Sequence, residues 1–169
     1  GDKELTPWCT CFGSEVCSEY SKMFNDGTHI KFINNPGSKT DIVKNYLGGA
    51  GIVAAHMSSL KSKVYLISVL GKDQNSKFVN KKLAEYKISN MTINDSSRVT
   101  NVKERYKSKN KTVFRHSILS EFDIDQKLQN RIYNNTKKLI EEKRINLLVL
   151  SDFNYGSLPD DLIKKIINL

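Results

Sequence analysis

The chain has 169 residues, enough for one compact domain with a real core and too few for two ordinary ones. With 38% apolar and 27% charged residues and no apolar run approaching the roughly 18 residues of a membrane span, the composition excludes a helical membrane protein and describes a globular one. The net charge of +9 favours anionic partners, and nucleic acid, a phosphorylated metabolite and an acidic protein surface all meet that condition.

The amino-terminal order Asp2-Lys-Glu-Leu-Thr-Pro7 lacks a basic region followed by an apolar one, so no secretion signal is read there and a cytoplasmic location is expected. Cys9, Cys11 and Cys17 are an odd number crowded into one end, which argues for reduced thiols rather than a disulfide framework. Their spacing, even with His29, lacks the paired C-x-x-C knuckles of structural zinc modules, and no metal is expected.

In chain order, residues 1–46 carry little pattern beyond a strand over 28–33. Gly48-Gly-Ala-Gly51 opens a helix to about Leu60, with Val53, Met57 and Leu60 at spacings of four and three that form one apolar face. Val64–Leu70 is a nearly unbroken apolar run, as in a strand covered on both faces. After the Gly71-Lys-Asp73 turn, Asp73 is placed to cap a helix whose stripe is Phe78, Val79, Leu83 and Tyr86.

Residues 99–106 alternate strictly, setting Thr100, Val102, Glu104 and Tyr106 on one face and Val99, Asn101, Lys103 and Arg105 on the other. A loop over Ser108–Lys111 and a return strand over Thr112–Ile118 complete a hairpin. Asp123 with Gln126 reads as a capping box for a helix ending near Lys143, with Ile124, Leu128, Ile132, Leu139 and Ile140 at helical spacing. Ile145–Leu150 reads as a second buried strand, and Ser157–Asp160 starts a last helix carrying Leu162, Ile163, Ile166 and Ile167. The alternation gives a single α/β domain over 1–169: a mostly parallel sheet sandwiched by helices, with an antiparallel hairpin outside that pattern.

Ligands of open parallel sheets collect beyond the carboxyl ends of strands, and Ser151-Asp-Phe-Asn-Tyr-Gly156 occupies such a place. Asp152 is suited either to a sugar hydroxyl or to shaping its own turn, and Gly156 to relieving backbone strain. Gly48 and Gly49 lead into a helix amino terminus, which favours an anion or a hydroxyl-rich ligand; tight packing is the alternative. Lys103, Arg105 and Arg115 fall where a hairpin can bring them together as a phosphate clamp, against the alternative of a solvated basic face. His56 and His116 sit in elements able to bury them, and no Ser-His-Asp or Cys-His order stands out.

Four stretches over about residues 46–169 resemble the ribokinase-like (PfkB) sugar kinases, in particular the branch acting on heptose 7-phosphate: Gly48-Gly-Ala-Gly-Ile-Val-Ala54, Leu70-Gly-Lys-Asp73, Val102-Lys-Glu-Arg105 with Ser108-Lys-Asn and Arg115, and Leu150-Ser-Asp-Phe-Asn-Tyr-Gly156. Residues 1–45 match poorly, and Ile52 and Tyr155 replace an Asn and a Lys of the family pattern.

The resemblance implies a ribokinase-like fold, a sugar or sugar-phosphate acceptor held by Gly48, Gly49, Lys103, Arg105, Arg115 and Asp152, Mg-ATP as donor in the complete kinase, and pairing of two chains through a β lid. The family's late G-A-G-D motif, whose Asp is the general base, has no counterpart here, because Gly49-Ala-Gly51 runs into Ile52. No catalytic residue and no bound nucleotide are therefore expected of these residues, which correspond to the acceptor side of the reaction. The other functional classes are a catalytically inactive module binding a sugar phosphate or a protein, and a nucleic-acid binder, which the absence of aromatics interleaved with the basic run disfavours.

Overall fold

The computed structural model describes residues 29–32, 42–108, 111–143 and 145–169; Cys9, Cys11, Cys17, Gly1 and Asp2 lie outside them, as do Lys109 and Asn110 of the hairpin loop. Chain order within the described residues is β1 (His29–Phe32), β2 (Ile42–Asn45), α1 (Gly49–Ser59), β3 (Tyr65–Leu66), β4 (Val69–Leu70), α2 (Gln74–Glu85), β5 (Ser89–Asn90), β6 (Ile93–Asn94), β7 (Val102–Ser108), β8 (Lys111–Ile118), α3 (Gln126–Lys143) and α4 (Asp160–Ile167).

The apolar run 64–70 is the axis of the domain. β3 pairs in parallel with β5, and β4 with β6. The ladder runs on between them: the amides of Ser89, Met91, Ile93 and Asp95 donate in turn to the carbonyls of Val64, Leu66, Ser68 and Leu70 at 2.8–2.9 Å. Successive side chains of a strand point to opposite faces, and the core divides accordingly. Leu66 and Val64 pack with Leu47, Ala54 and Ala55 near α1 and with Leu83 of α2, while Ile67 and Val69 pack with Leu128 and Ile132 of α3 and Leu162 and Ile166 of α4. Helices thus cover both faces, which is the α/β sandwich the alternation implies. Residues 88–95, which form the partner strand, were not foreseen as one.

The hairpin belongs to a second sheet with strand order β2-β1-β7-β8, in which β1 is antiparallel to β2 and parallel to β7. The strand expected over 28–33 is present as β1; β2 was not anticipated. A register shift between Tyr106 and Lys107 makes Val113 the extra residue of a bulge in β8, and Lys107 beside it is buried.

Three expectations are corrected. In α1, Val53 and Leu60 are exposed and the buried face is Gly51, Ala54 and Ala55, because small residues allow the helix close approach to Leu47 and the strands. In α3, the capping carboxylate is Asp125, whose Oδ1 accepts the Leu128 amide at 2.7 Å, and not Asp123. Residues 145–150 join no ladder among the described residues; Leu147, Leu148 and Val149 are 63%, 44% and 53% exposed, and Leu150 packs on the core. An apolar run becomes a buried strand only when another strand lies beside it. At the ends of two stripes, Tyr86 and Ile167 also face out.

Candidate acceptor site

Every sequence-predicted polar site residue traces back to the hairpin or to the segment after residue 150. β7 and β8 pair antiparallel with Lys103 opposite Ser117 and Arg105 opposite Arg115. Directly opposed residues share a face, and Lys103 and Arg105 are two apart on one strand, so all three cations project from the same side of the sheet. Two guanidiniums directly opposed repel, a cost that an anion between them removes. On the other face, Glu104 Oε2 lies 3.0 Å from both the Tyr106 hydroxyl, which donates to it, and Nδ1 of its cross-strand partner His116. His116 is therefore a half-exposed hairpin residue and not a core one. His56, on α1, is partly buried, and burial lowers its pKa from the ordinary value.

The segment 151–156 is a compact turn. The Asn154 amide donates to Asp152 Oδ1 at 2.9 Å, so one carboxylate oxygen shapes the backbone. Asn154 and Gly156 take positive φ, +59° and +69°. A Cβ on Gly156 would stand 2.0 Å from the Phe122 carbonyl oxygen, which explains glycine there. The Phe153 and Tyr155 rings stack at 6.4 Å, and Lys103 Nζ lies 5.1 Å from the Tyr155 centroid. That cation–π contact joins the basic face of the hairpin to the Asp152 turn, so the structure brings two of the three predicted groups together. The third, Gly48 and Gly49, stands at the start of α1, three residues beyond β2 of the hairpin's own sheet. Gly49-Ala50-Gly51 forms the first turn of that helix and leads into Ile52 and Val53, so it places no carboxylate to act as a base.

The hairpin root is tied to the Gly71–Asp73 turn. Asp73 caps α2 by accepting the Ser76 amide at 2.8 Å, and its other oxygen accepts the Thr100 amide at 2.7 Å. The Gly71 amide donates to the Thr100 hydroxyl at 3.0 Å. Burial pushes the Asp73 pKa up, but the amides of Thr100 and Ser76 outweigh it and hold the carboxyl below its usual range. Sequence reasoning found the cap and missed the bond to Thr100. It also missed Arg98 and Asp95, a buried ion pair at 3.1 Å. The stretch Asp95-Ser-Ser-Arg98 has the composition of a surface loop, and only its long-range partners bury it.

No protein-family model matches the chain. Over 124 residues, 73% of this chain, it is 33% identical to the bifunctional protein HldE of Aliarcobacter butzleri strain RM4018. The chain spans 26% of that relative's length. Its fold superposes on phosphofructokinase-2 from Escherichia coli, solved in complex with fructose-6-phosphate, with a TM-score of 0.58, 10% identity, 87% of this chain and 50% of the other covered. The fold is that of the ribokinase-like (PfkB) carbohydrate kinases. A putative phosphofructokinase from Staphylococcus aureus gives the same fold at a TM-score of 0.55, with 14% identity over 86% of this chain and 47% of that structure. Both superpositions take in about half of the solved kinase, so the PfkB architecture present here is a partial one. Among the described residues no helix is long and apolar enough to cross a membrane.

Proposed function

We propose that these residues form the acceptor side of a PfkB sugar kinase, which transfers phosphate from ATP to a sugar or sugar phosphate, with heptose 7-phosphate as the candidate acceptor. The observation that carries this is the shared face of Lys103, Arg105 and Arg115, joined through Lys103 and Tyr155 to the turn that presents Asp152. The cations take the phosphate already on the acceptor, and Asp152, with one oxygen committed to Asn154, offers the other to a sugar hydroxyl. Gly48 and Gly49 offer a helix start without side chains, against which a hydroxyl-rich ligand fits closely. Mg-ATP supplies the transferable phosphoryl group in the complete kinase, and a cytoplasmic location follows from that donor. With no base in the Gly49–Gly51 turn, these residues alone are expected to bind without turnover.

Calorimetric titration of heptose 7-phosphate and of unphosphorylated hexoses, with a Lys103→Ala/Arg105→Ala variant alongside, tests this reading. Saturable binding of the phosphorylated sugar that the variant loses supports it; absence of binding to any sugar overturns it for this chain. A second role rests on a separate feature. Among the described residues β8 ends its sheet, all eight of its residues are exposed, and Val113 and Phe114 are among them, so this edge suits pairing of two chains through the hairpin. Sedimentation of the chain with and without Phe114→Lys reads that directly.

A further inference from the structure

Arg98 is a buried cation at the point where three segments meet. Its Nε donates to Asp95 Oδ2 at 3.1 Å, one terminal nitrogen to the Phe122 carbonyl at 2.8 Å, the other to the Ser157 hydroxyl at 3.4 Å, and its guanidinium carbon lies 5.0 Å from the Phe122 ring centroid. Asp95 is itself held by the Ser97 amide and hydroxyl, at 2.9 and 2.6 Å. Only a planar fork of five donors serves acceptors in three directions at once; an ammonium on a flexible stem reaches one of them.

The segments so joined are the two that carry the candidate site. Residues 156 and 157 lie on residues 122–124: the Ile124 amide donates to the Gly156 carbonyl at 2.9 Å, and Gly156 backs directly onto the Phe122 carbonyl. From there the turn runs back through Tyr155, under Lys103, to Asp152. On its other side Arg98 begins the hairpin root. The Val99 amide donates to the Ser120 hydroxyl at 3.1 Å, the Thr100 amide to Asp73, and the Ser120 amide to Asn101 Oδ1 at 2.8 Å.

We propose that Arg98 is a positioning residue that sets the Asp152 turn against the basic face of the hairpin, so that the sugar end and the phosphate end of an acceptor meet at a fixed spacing. Its part in acceptor binding rests on the function proposed above; its mechanical part does not. Arg98 touches no ligand in this role. It holds the base of the turn while Lys103 holds the tip, and loss of the base lets Asp152 move relative to the cations.

The test is amide hydrogen exchange of the intact chain, followed by titration of heptose 7-phosphate, for the wild type, Arg98→Lys and Ser157→Ala. Arg98→Lys keeps a charge for Asp95 and gives up the bonds to Phe122 and Ser157. Exchange over 151–158 and 99–101 is expected to rise about tenfold while the amides of α1 and α2 hold their protection. Ser157→Ala, which removes one hydroxyl and leaves the ion pair, is expected to raise exchange over 156–158 by a smaller factor and remains informative if Arg98→Lys does not fold. Acceptor affinity is expected to fall about tenfold in Arg98→Lys, with the salt dependence unchanged because the phosphate contacts remain. Unaltered exchange at 151–158 in both variants overturns the proposal, as does a uniform rise across the whole domain, which marks a merely stabilising ion pair. A local rise in a chain whose wild type binds no sugar phosphate upholds the clasp and overturns the acceptor reading alone.

Discussion

Asp73 and Thr100 are 27 residues apart, yet one carboxylate oxygen of Asp73 accepts the Thr100 amide at 2.7 Å while the other caps α2. A single side chain thereby fastens the hairpin root to a helix of the sandwich. Asp73→Ala removes a helix cap, which costs about 1 kcal/mol, and strands the Thr100 amide, which costs about 1–3 kcal/mol more. The expected loss is about 2–4 kcal/mol in urea unfolding, with Asp73→Asn in between because it keeps one acceptor.

The same carboxylate gives the domain an acid-sensitive stability. Asp73 and Asp95 are each raised by burial but lowered further by their donors, the amides of Thr100 and Ser76 for the first, Ser97 and then Arg98 for the second. A folded-state pKa below the unfolded one means that the unfolded chain binds more protons, so the stabilisation is present above the ordinary carboxylate pKa of about 4 and is lost as pH falls through the depressed folded values. The urea midpoint is expected to fall a little as pH passes below about 6.5, where the unfolded chain protonates His56 and burial resists it, and to drop further below about pH 4. In Asp73→Asn that drop is smaller.

Two glycines make opposite predictions. Gly156 has φ of +69° and its missing Cβ would sit 2.0 Å from a backbone oxygen, so Gly156→Ala has to push residues 122 and 156 apart and is expected to cost about 2–4 kcal/mol. At Gly51 a Cβ would meet only Leu47 side-chain atoms, the nearest at 3.5 Å, within a helix. Gly51→Ala is expected to stabilise by about 0.5–1 kcal/mol, the difference in helix propensity. Chemical denaturation of the pair reads both signs in one experiment.

The contrast shows what the sequence could convey. Val64–Leu70 was legible because an apolar run of strand length constrains both faces at once. Its partner strand was not, since Ile88, Met91 and Ile93 are separated by Ser, Asn and Thr and fit neither period well. The α1 face was misread because large side chains were taken as the packing surface, whereas the helix sits close on Gly51, Ala54 and Ala55. The hairpin and the common side of Lys103 and Arg105 followed from strict alternation, a local rule, whereas the register that sets Arg115 opposite Arg105 did not. Arg98 was invisible, because a buried arginine is defined by Phe122 and Ser157, residues far along the chain whose proximity no local pattern encodes.

Tyr155 offers a way to test which chemistry the site prefers. It stands where the resemblance to heptose-phosphate kinases has a lysine, and its ring underlies Lys103. Tyr155→Lys exchanges a cation–π contact of about 0.5–1 kcal/mol for a second ammonium beside the first, so the ligand-free chain is expected to lose stability by that order. A phosphate dianion gains from the added charge what the free protein loses, and a neutral hexose does not. Heptose 7-phosphate is therefore expected to bind several-fold more tightly to Tyr155→Lys at low salt, with the advantage shrinking as ionic strength rises and the Debye length falls below about 8 Å. A gain that persists at high salt, or that extends equally to unphosphorylated hexoses, would instead place residue 155 against the sugar ring and assign the phosphate to Arg105 and Arg115.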